Sequence, residues 1–337
     1  MTVHLLEPAL GRVSGGLRYN AAIARAAGSI LRHPVPGAWP HPTAEDVAAL
    51  AVMVCGLDGP VILDGLIGCS LPDPLTTPPD APIVMLVHAL LGSAEPGTEP
   101  TACPTTGPTA RERERAALGS AAAVVTTSRF AARELAELYG VRAHAIPPGA
   151  APRPVSAGGD GGDLICVASI EENKNQLLLA EALAALAASG TTAWHATFAG
   201  PITDPAYGAR LRAALAALPA GSVELPGELD EPALAALYHR ADLLLLPSRR
   251  EAFGMVVSEA AAAGIPAFVT AGTGAEEALT AGRALPPEPV AWTAALQTWL
   301  GDPAHRAALR EEALHRRADL PTWDDAAAAL LDAVPGA

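Results

Sequence analysis

The stretch Leu243-Leu244-Leu245-Leu246-Pro247-Ser248-Arg249-Arg250-Glu251-Ala252-Phe253-Gly254-Met255-Val256-Val257-Ser258-Glu259-Ala260-Ala261-Ala262-Ala263-Gly264-Ile265-Pro266-Ala267-Phe268-Val269 decides the fold. Four leucines stopped by a proline read as a strand. Residues 255–263 are an apolar, Ala-rich helix that ends before Gly264 and Pro266. Residues 267–269 return as a second buried strand, so the segment is a parallel βαβ unit. Glu251 falls in the strand-to-helix turn and Glu259, with seven residues between them, on the helix. A carboxylate among Met, Val and Ala is costly to bury without a specific partner. Ionised carboxylates also accept strongly from sugar or ribose hydroxyls, so this spacing points to a polyhydroxylated ligand.

The same alternation extends outward. Strands are expected over 5–6, 61–63, 83–87, 122–125 and 143–146, with helices over 17–27, 44–55 and 129–139. Residues 147–162, rich in Pro and Gly, break the pattern and read as a linker over 151–162. A second series follows, with strands at 164–168, 196–199, 223–225, 243–246 and 267–269. Its helices span 176–188, 207–217, 231–240 and 255–263. The reading is α/β: two Rossmann-like βαβ domains, 1–150 and 163–320, with parallel sheets facing across a cleft. Residues 289–333 are helical without strand signal, and 321–337 is expected to pack back across the domains. Residues 93–108, full of Gly, Pro and Thr, read as a mobile loop at the cleft edge.

Composition narrows the function classes. The 337 residues are half apolar, only 4% aromatic, and carry a net charge of −14, which argues against a nucleic-acid surface or a basic membrane patch. An anionic small molecule needs only a local cation and is not excluded. Cys55, Cys69, Cys103 and Cys166 show no metal-ligand spacing and read as free thiols of a reducing compartment. The N-terminus lacks a signal-peptide pattern and no apolar run has membrane-spanning length, so a cytoplasmic protein without membrane insertion is expected.

Individual positions then stand out at the carboxyl ends of the expected strands. Gly15-Gly16 lies between strand and helix, where backbone N–H groups reach a phosphate closely or simply make a tight turn. His88 follows strand 83–87 and serves as hydrogen-bonder or acid/base. Lys174, at the start of the next helix, can meet a diphosphate as a point charge or stay solvated. Arg249 and Arg250 add charge before Glu251, and Ser128 reads as a helix N-cap.

These residues together resemble a family. Ala241-Asp242-Leu243-Leu244-Leu245-Leu246-Pro247-Ser248, Glu251-Ala252-Phe253-Gly254, Glu259-Ala260, Ala263-Gly264-Ile265-Pro266 and Gly272-Thr273-Gly274 look like the donor-binding core of family 4 glycosyltransferases, retaining enzymes of the GT-B fold, bacterial group 1 type. Ser14-Gly15-Gly16, Val87-His88, Thr127-Ser128, Ile146-Pro147-Pro148-Gly149 and Lys174-Asn175 extend the resemblance over nearly the whole chain. It implies that Glu259 holds ribose hydroxyls and Glu251 sits near the donor sugar. The backbone of Phe253, Gly254 and Met255 would meet the diphosphate, Lys174 would neutralise it, and Gly15 and Gly16 would bring a loop against it. His88 would line the sugar site, and Gly227 and Leu229 would lie near the base. The resemblance makes Glu251, His88 and Lys174 the catalytic candidates.

One departure matters. The family's Gly-Arg-x-x-x-x-Lys run reads Ala168-Ser169 before Lys174, so a phosphate-binding cation is missing and Arg249, Arg250 or Arg18 is the candidate substitute. The expected activity is metal- and cofactor-independent transfer of a sugar from a nucleoside-diphosphate sugar, with uridine as the base, to a hydroxyl of a soluble acceptor by front-face substitution. Two rivals stay open: a catalytically impaired nucleotide-sugar-binding protein, and a nucleotide-sugar 2-epimerase of the same fold. Acceptor and oligomeric state are not legible.

Overall fold

Two six-stranded sheets, with neighbouring strands parallel throughout, organise the chain in the computed structural model, which describes residues 2–11, 14–75, 82–92 and 108–336. The loop expected over 93–108 lies outside the described residues except for Pro108. The chain divides into one unit of residues 1–149 with 321–337 and a second of residues 150–320.

In the first unit β1 (Val3–Pro8), α1 (Gly15–Ala27), β2 (Ile30–Val35), α2 (Ala44–Cys55), β3 (Val61–Asp64) and the short α3 (Gly65–Gly68) come first. They are followed by β4 (Ile83–Val87), α4 (Ala110–Ser120), β5 (Ala123–Thr126), α5 (Arg129–Tyr139) and β6 (His144–Ala145). The spatial order is β2-β1-β3-β4-β5-β6. Beyond the expected strands it contains β2, whose Ile30-Leu31-Arg32-His33-Pro34-Val35 hides its strand character behind polar residues and a proline. As an edge strand it tolerates that proline. The helix α4 was also not expected. Its start is fixed by a reciprocal cap between Thr109 and Glu112.

The second unit runs β7 (Asp163–Val167), a 3₁₀ turn (Glu172–Lys174), α6 (Gln176–Ala188), β8 (His195–Ala199), α7 (Pro205–Ala216), β9 (Val223–Gly227) and α8 (Glu231–Arg240). It continues with β10 (Leu243–Leu246), α9 (Met255–Ala262), β11 (Ala267–Thr270), the short α10 (Ala275–Ala278), β12 (Gly282–Leu285), α11 (Pro289–Gly301) and α12 (Pro303–Arg316). Its order is β12-β11-β10-β7-β8-β9. The leucine run behaves as its composition dictates. Leu243 and Leu245 join the core of one sheet face with Phe198, Trp292 and Trp299, while Leu244 and Leu246 join the other with Val257 and Ala260. The segment read as a linker is tied to this unit, because the buried Asp242 carboxylate accepts from the N–H groups of Gly161 at 3.1 Å and Asp163 at 3.0 Å. The last helix, α13 (Trp323–Asp332), belongs to the first unit, where it packs on α1 and sets Trp323 edge-on to Tyr19.

This topology picks out one crevice in each sheet. Chain order reverses between β1 and β3 in the first and between β7 and β10 in the second. In open parallel sheets, ligands bind beyond the carboxyl ends of the strands at such switch points.

Candidate functional site

At the switch point of the second sheet, the loops after β7 and β10 lie side by side. Asn173 Nδ2 donates to the Arg250 carbonyl at 3.1 Å, Asn175 Nδ2 to that of Pro247 at 3.3 Å, and the Arg249 N–H to the carbonyl of Asn173 at 2.8 Å. These bonds deliver Lys174 to Glu251: Nζ donates to Oε1 at 2.6 Å, with the side chains 21% and 13% exposed. Burial alone would depress the Lys174 ammonium, but Glu251, with help from Glu171 and Cys166, outweighs it and the net shift is upward. Lys174 is therefore a paired cation. It ends the 3₁₀ turn instead of opening α6, separated from that helix by Asn175, the one non-glycine residue with positive φ among those described (+53°).

Glycines hold the Glu251 turn in shape. Gly254 caps α9 at φ +82°, a conformation other residues adopt with strain, and makes no side-chain cap. The Val257 N–H bonds the Gly254 carbonyl at 2.9 Å, so the N–H groups of Met255 and Val256 are the ones at this helix start that a ligand could engage. Gly274 lies under the turn, its N–H bonded to the Glu251 carbonyl at 2.8 Å; a Cβ there would stand 2.1 Å from the Ala252 carbonyl oxygen. The Phe253 side chain is buried in the core, and Met255 is partly buried.

Glu259 is 9% exposed on α9, and its partners are residues that local sequence did not indicate. Tyr238 Oη donates to Oε2 at 3.0 Å, Arg153 Nη2 lies 3.4 Å from the same oxygen, and the guanidinium stacks 4.6 Å above the Tyr238 ring. Glu251 is thus paired with Lys174, and Glu259 with Tyr238 and Arg153.

The remaining candidates contribute less. Gly227 ends β9 at φ +82°, and its carbonyl accepts from Gly200 N–H at 2.8 Å; Leu229 packs against the core. Where the resemblance would place an arginine, the Ser169 carbonyl accepts from Gln176 Nε2 at 2.7 Å. The Arg249 guanidinium is engaged at the surface by Glu172 at 2.9 Å; Arg250 is exposed. Among the described residues no group of His, Cys, Asp and Glu side chains is arranged to hold a metal ion.

In the first unit, Ser14 caps α1 by accepting from Leu17 N–H at 3.2 Å, so Gly15 and Gly16 form the first helical turn instead of preceding it. Gly16 is there for space: a Cβ would meet His88 Cδ2 at 2.8 Å. His88 follows β4, edge-on to Tyr19, with Nε2 2.9 Å from Asn20 Oδ1. Asn20 Nδ2 in turn donates to Asp64 Oδ2 at 3.1 Å. Burial holds the imidazole below its usual range, with Asp64 and Glu7 pulling the other way. Ser128 is a helix N-cap, accepting from Ala131 N–H at 2.9 Å.

The chain as a whole is similar to known proteins. Residues 153–316 match the family model described as glycosyl transferases group 1. A GDP-mannose-dependent alpha-(1-6)-phosphatidylinositol dimannoside mannosyltransferase of Mycobacterium tuberculosis is 32% identical over 166 residues, 48% of this chain and 40% of that protein. A D-inositol 3-phosphate glycosyltransferase of Jonesia denitrificans is 38% identical over 106 residues, 30% of this chain and 25% of the relative. The chain thus spans well under half the length of these curated relatives. Over nearly its full length it has the GT-B fold of solved glycosyltransferases. Sucrose-phosphate synthase from Thermosynechococcus elongatus superposes with TM-score 0.75 at 18% identity, covering 98% of this chain and 97% of that one. Anabaena HepE, solved with UDP and glucose, gives TM-score 0.76 at 16% identity and covers 98% of each.

Proposed function

Because residues 153–316 match the model of the group 1 glycosyl transferases, we propose that the chain is such an enzyme and moves a hexosyl group from a nucleoside-diphosphate sugar, with uridine as the base, to an acceptor hydroxyl with retention of anomeric configuration. The observation that carries the reading is the Lys174–Glu251 pair at the second switch point, 2.6 Å apart at the uncapped start of α9.

Each group has a task in that chemistry. Breaking the bond between the anomeric carbon and the diphosphate oxygen leaves its electron pair on the phosphate and positive character on the sugar. Once donor binding has drawn Lys174 from Glu251, Lys174 and the N–H groups of Met255 and Val256 would be in place to stabilise the leaving charge electrostatically. Glu251 would accept from hydroxyls of the donor sugar, and Glu259, anchored through one oxygen by Tyr238, from those of the ribose. Gly227 and Leu229 would lie near the base. In the first unit, His88 would hydrogen-bond a hydroxyl of a bound sugar substrate. The acceptor hydroxyl would attack on the face the diphosphate leaves, passing its proton to a diphosphate oxygen. The reading needs no metal, since the charge is met by Lys174 and backbone; transfer that survives chelation supports this, and transfer abolished by it does not. A soluble small-molecule or glycan acceptor fits a surface of net charge −14.

A panel of nucleotide sugars in a thermal-shift assay tests the donor assignment, because a ligand of the folded state raises its stability. Stabilisation by uridine-linked sugars and transfer with retained configuration support the reading; an inverted product refutes the front-face step. Ser169, standing where a second phosphate-binding cation is expected, favours one rival, a nucleotide-sugar-binding protein without turnover. Donor binding with no transfer and no slow hydrolysis identifies it.

A further inference from the structure

We propose that Asn20 and Asp64 are positioning residues that fix His88 as a neutral imidazole protonated on Nε2, so that Nδ1 is the atom it offers to substrate and offers only as an acceptor. The direction of the network follows from its far end. Asp64 lies at the carboxyl end of β3, is 4% exposed, and its Oδ1 accepts from Leu66 N–H at 2.9 Å. An ionised carboxylate only accepts, so the Asn20 group 3.1 Å from Oδ2 is the amide NH₂. Asn20, wholly buried, must then turn its carbonyl oxygen to His88, and an oxygen accepts only from a protonated Nε2. Three residues from three elements thus set one proton.

The remaining edges of the ring are consistent with this. The first turn of α1 covers the Cδ2 edge, where Gly16 leaves no room for a Cβ. Tyr19, packed against the ring, spends its hydroxyl on the Ile146 carbonyl at 3.1 Å and does not compete for Nδ1. Among the described residues Nδ1 has no protein partner, and the side chain keeps 16% of its surface open. The titratable groups facing His88 are Asp64, 3.7 Å from Nε2, with Glu7 and Tyr19. The consequence is chemical: an acceptor-only Nδ1 binds a hydroxyl and not a phosphate oxygen, so His88 selects for a sugar and does not add to the charge on the leaving group. This consequence rests on the proposed function, whereas the proton placement does not.

Nitrogen-15 spectra of imidazole-labelled protein, assigned through His88→Gln, test the placement without substrate. At neutral pH His88 should show Nε2–H and an unprotonated Nδ1. A protonated Nδ1, or a doubly protonated ring, overturns the proposal. Asp64→Asn removes the acceptor-only group that orients Asn20, and both tautomers should then be visible; an unchanged single tautomer also overturns it. In transfer assays, Asp64→Asn should lower kcat about tenfold, the order of one hydrogen bond, with affinity for the nucleoside diphosphate unchanged. If the tautomers mix and kcat does not move, the positioning role fails. If no nucleotide sugar binds or turns over in the unaltered protein, it is the functional reading that fails, and the spectra still decide the proton.

Discussion

Replacing Lys174 by methionine and Glu251 by glutamine, singly and together, should give a strongly non-additive cycle. At 2.6 Å and an effective permittivity of 20, Coulomb attraction between the two charges is roughly 6 kcal/mol. Removing two charged groups from water costs several kcal/mol for each, so the pair as a whole contributes little net stability. The asymmetry appears when one partner goes. Lys174→Met leaves Glu251, 13% exposed, without its cation, and Glu251→Gln strands an ammonium that is 21% exposed. Breaking a buried pair costs about 3–5 kcal/mol. The residual exposure places each single variant at the lower end, about 3 kcal/mol. The double variant strands neither charge and should return to within about 1 kcal/mol of the parent.

The loops themselves should not move, because the bonds from Asn173, Asn175 and the Arg249 N–H join them independently of the pair. A chain of two units does not unfold as one transition, so a global denaturation midpoint is the wrong observable. Amide hydrogen exchange of peptides covering 163–180 and 247–262 reads the local opening free energy. Additive single effects in the double variant would refute the view that Lys174 is a neutralised cation in the free protein.

Three further outcomes are expected. Glu259→Gln should raise the donor KM about tenfold to a hundredfold with kcat nearly unchanged, since a charged hydrogen bond to ribose is worth about 1.5–3 kcal/mol; steady-state kinetics check it, and a loss confined to kcat would reverse the roles given to the two glutamates. Gly274→Ala should abolish donor binding, because its Cβ would stand 2.1 Å from the Ala252 carbonyl and push the Glu251 turn away; calorimetry with the nucleotide sugar reads this, and wild-type affinity counts against it. His88 should make stability depend on pH: its folded pKa is depressed by burial from 6.5, so the unfolded chain takes up the proton first. That contribution is fully present above pH 6.5 and is lost as pH falls toward the folded value. Read from amide hydrogen exchange of peptides of the first unit, corrected for the intrinsic pH dependence of exchange, His88→Asn should flatten the fall in local stability below pH 6.5 without removing it, since His33, also depressed by burial, titrates the same way.

What the sequence made legible was what is local. Buried strands announce themselves as apolar runs, and helices such as α2, α5, α6 and α8 end where composition changes. β2 escaped because an edge strand need not look buried, and it carries Arg32, His33 and Pro34 in succession. α4 escaped because Ala110-Arg111-Glu112-Arg113-Glu114-Arg115 reads as a solvated charge run, although the Thr109-x-x-Glu112 cap marked its start. The site splits along the same line. Glu251, Glu259, Lys174 and Gly16 stand in recognisable local contexts. Their partners do not: Arg153 reaches Glu259 across 106 positions, Asn20 reaches His88 across 68, and Asp64 reaches Asn20 across 44. Sheet topology closes those distances, and one sequence alone carries no trace of which polar residues it will bring together.

The pairing of Lys174 changes how an anionic donor would enter a chain of net charge −14. With long-range repulsion against it and the crevice ammonium already paired with Glu251, the diphosphate of the proposed donor would find no free cation at Lys174. What it can do is exchange partners: phosphate oxygens take hydrogen bonds from Lys174, and Glu251 is left needing donors of its own. The sugar hydroxyls of the same ligand are such donors. A nucleoside diphosphate alone satisfies one half of the broken pair and strands the other, whereas a nucleotide sugar satisfies both. On the proposed function, Glu251 would thereby tie tight phosphate binding to the presence of a sugar, and departure of the sugar to an acceptor would restore the pull of Glu251 on Lys174 and favour release of the diphosphate. A glutamate kept 2.6 Å from the phosphate-binding lysine would, on this account, serve turnover as well as recognition.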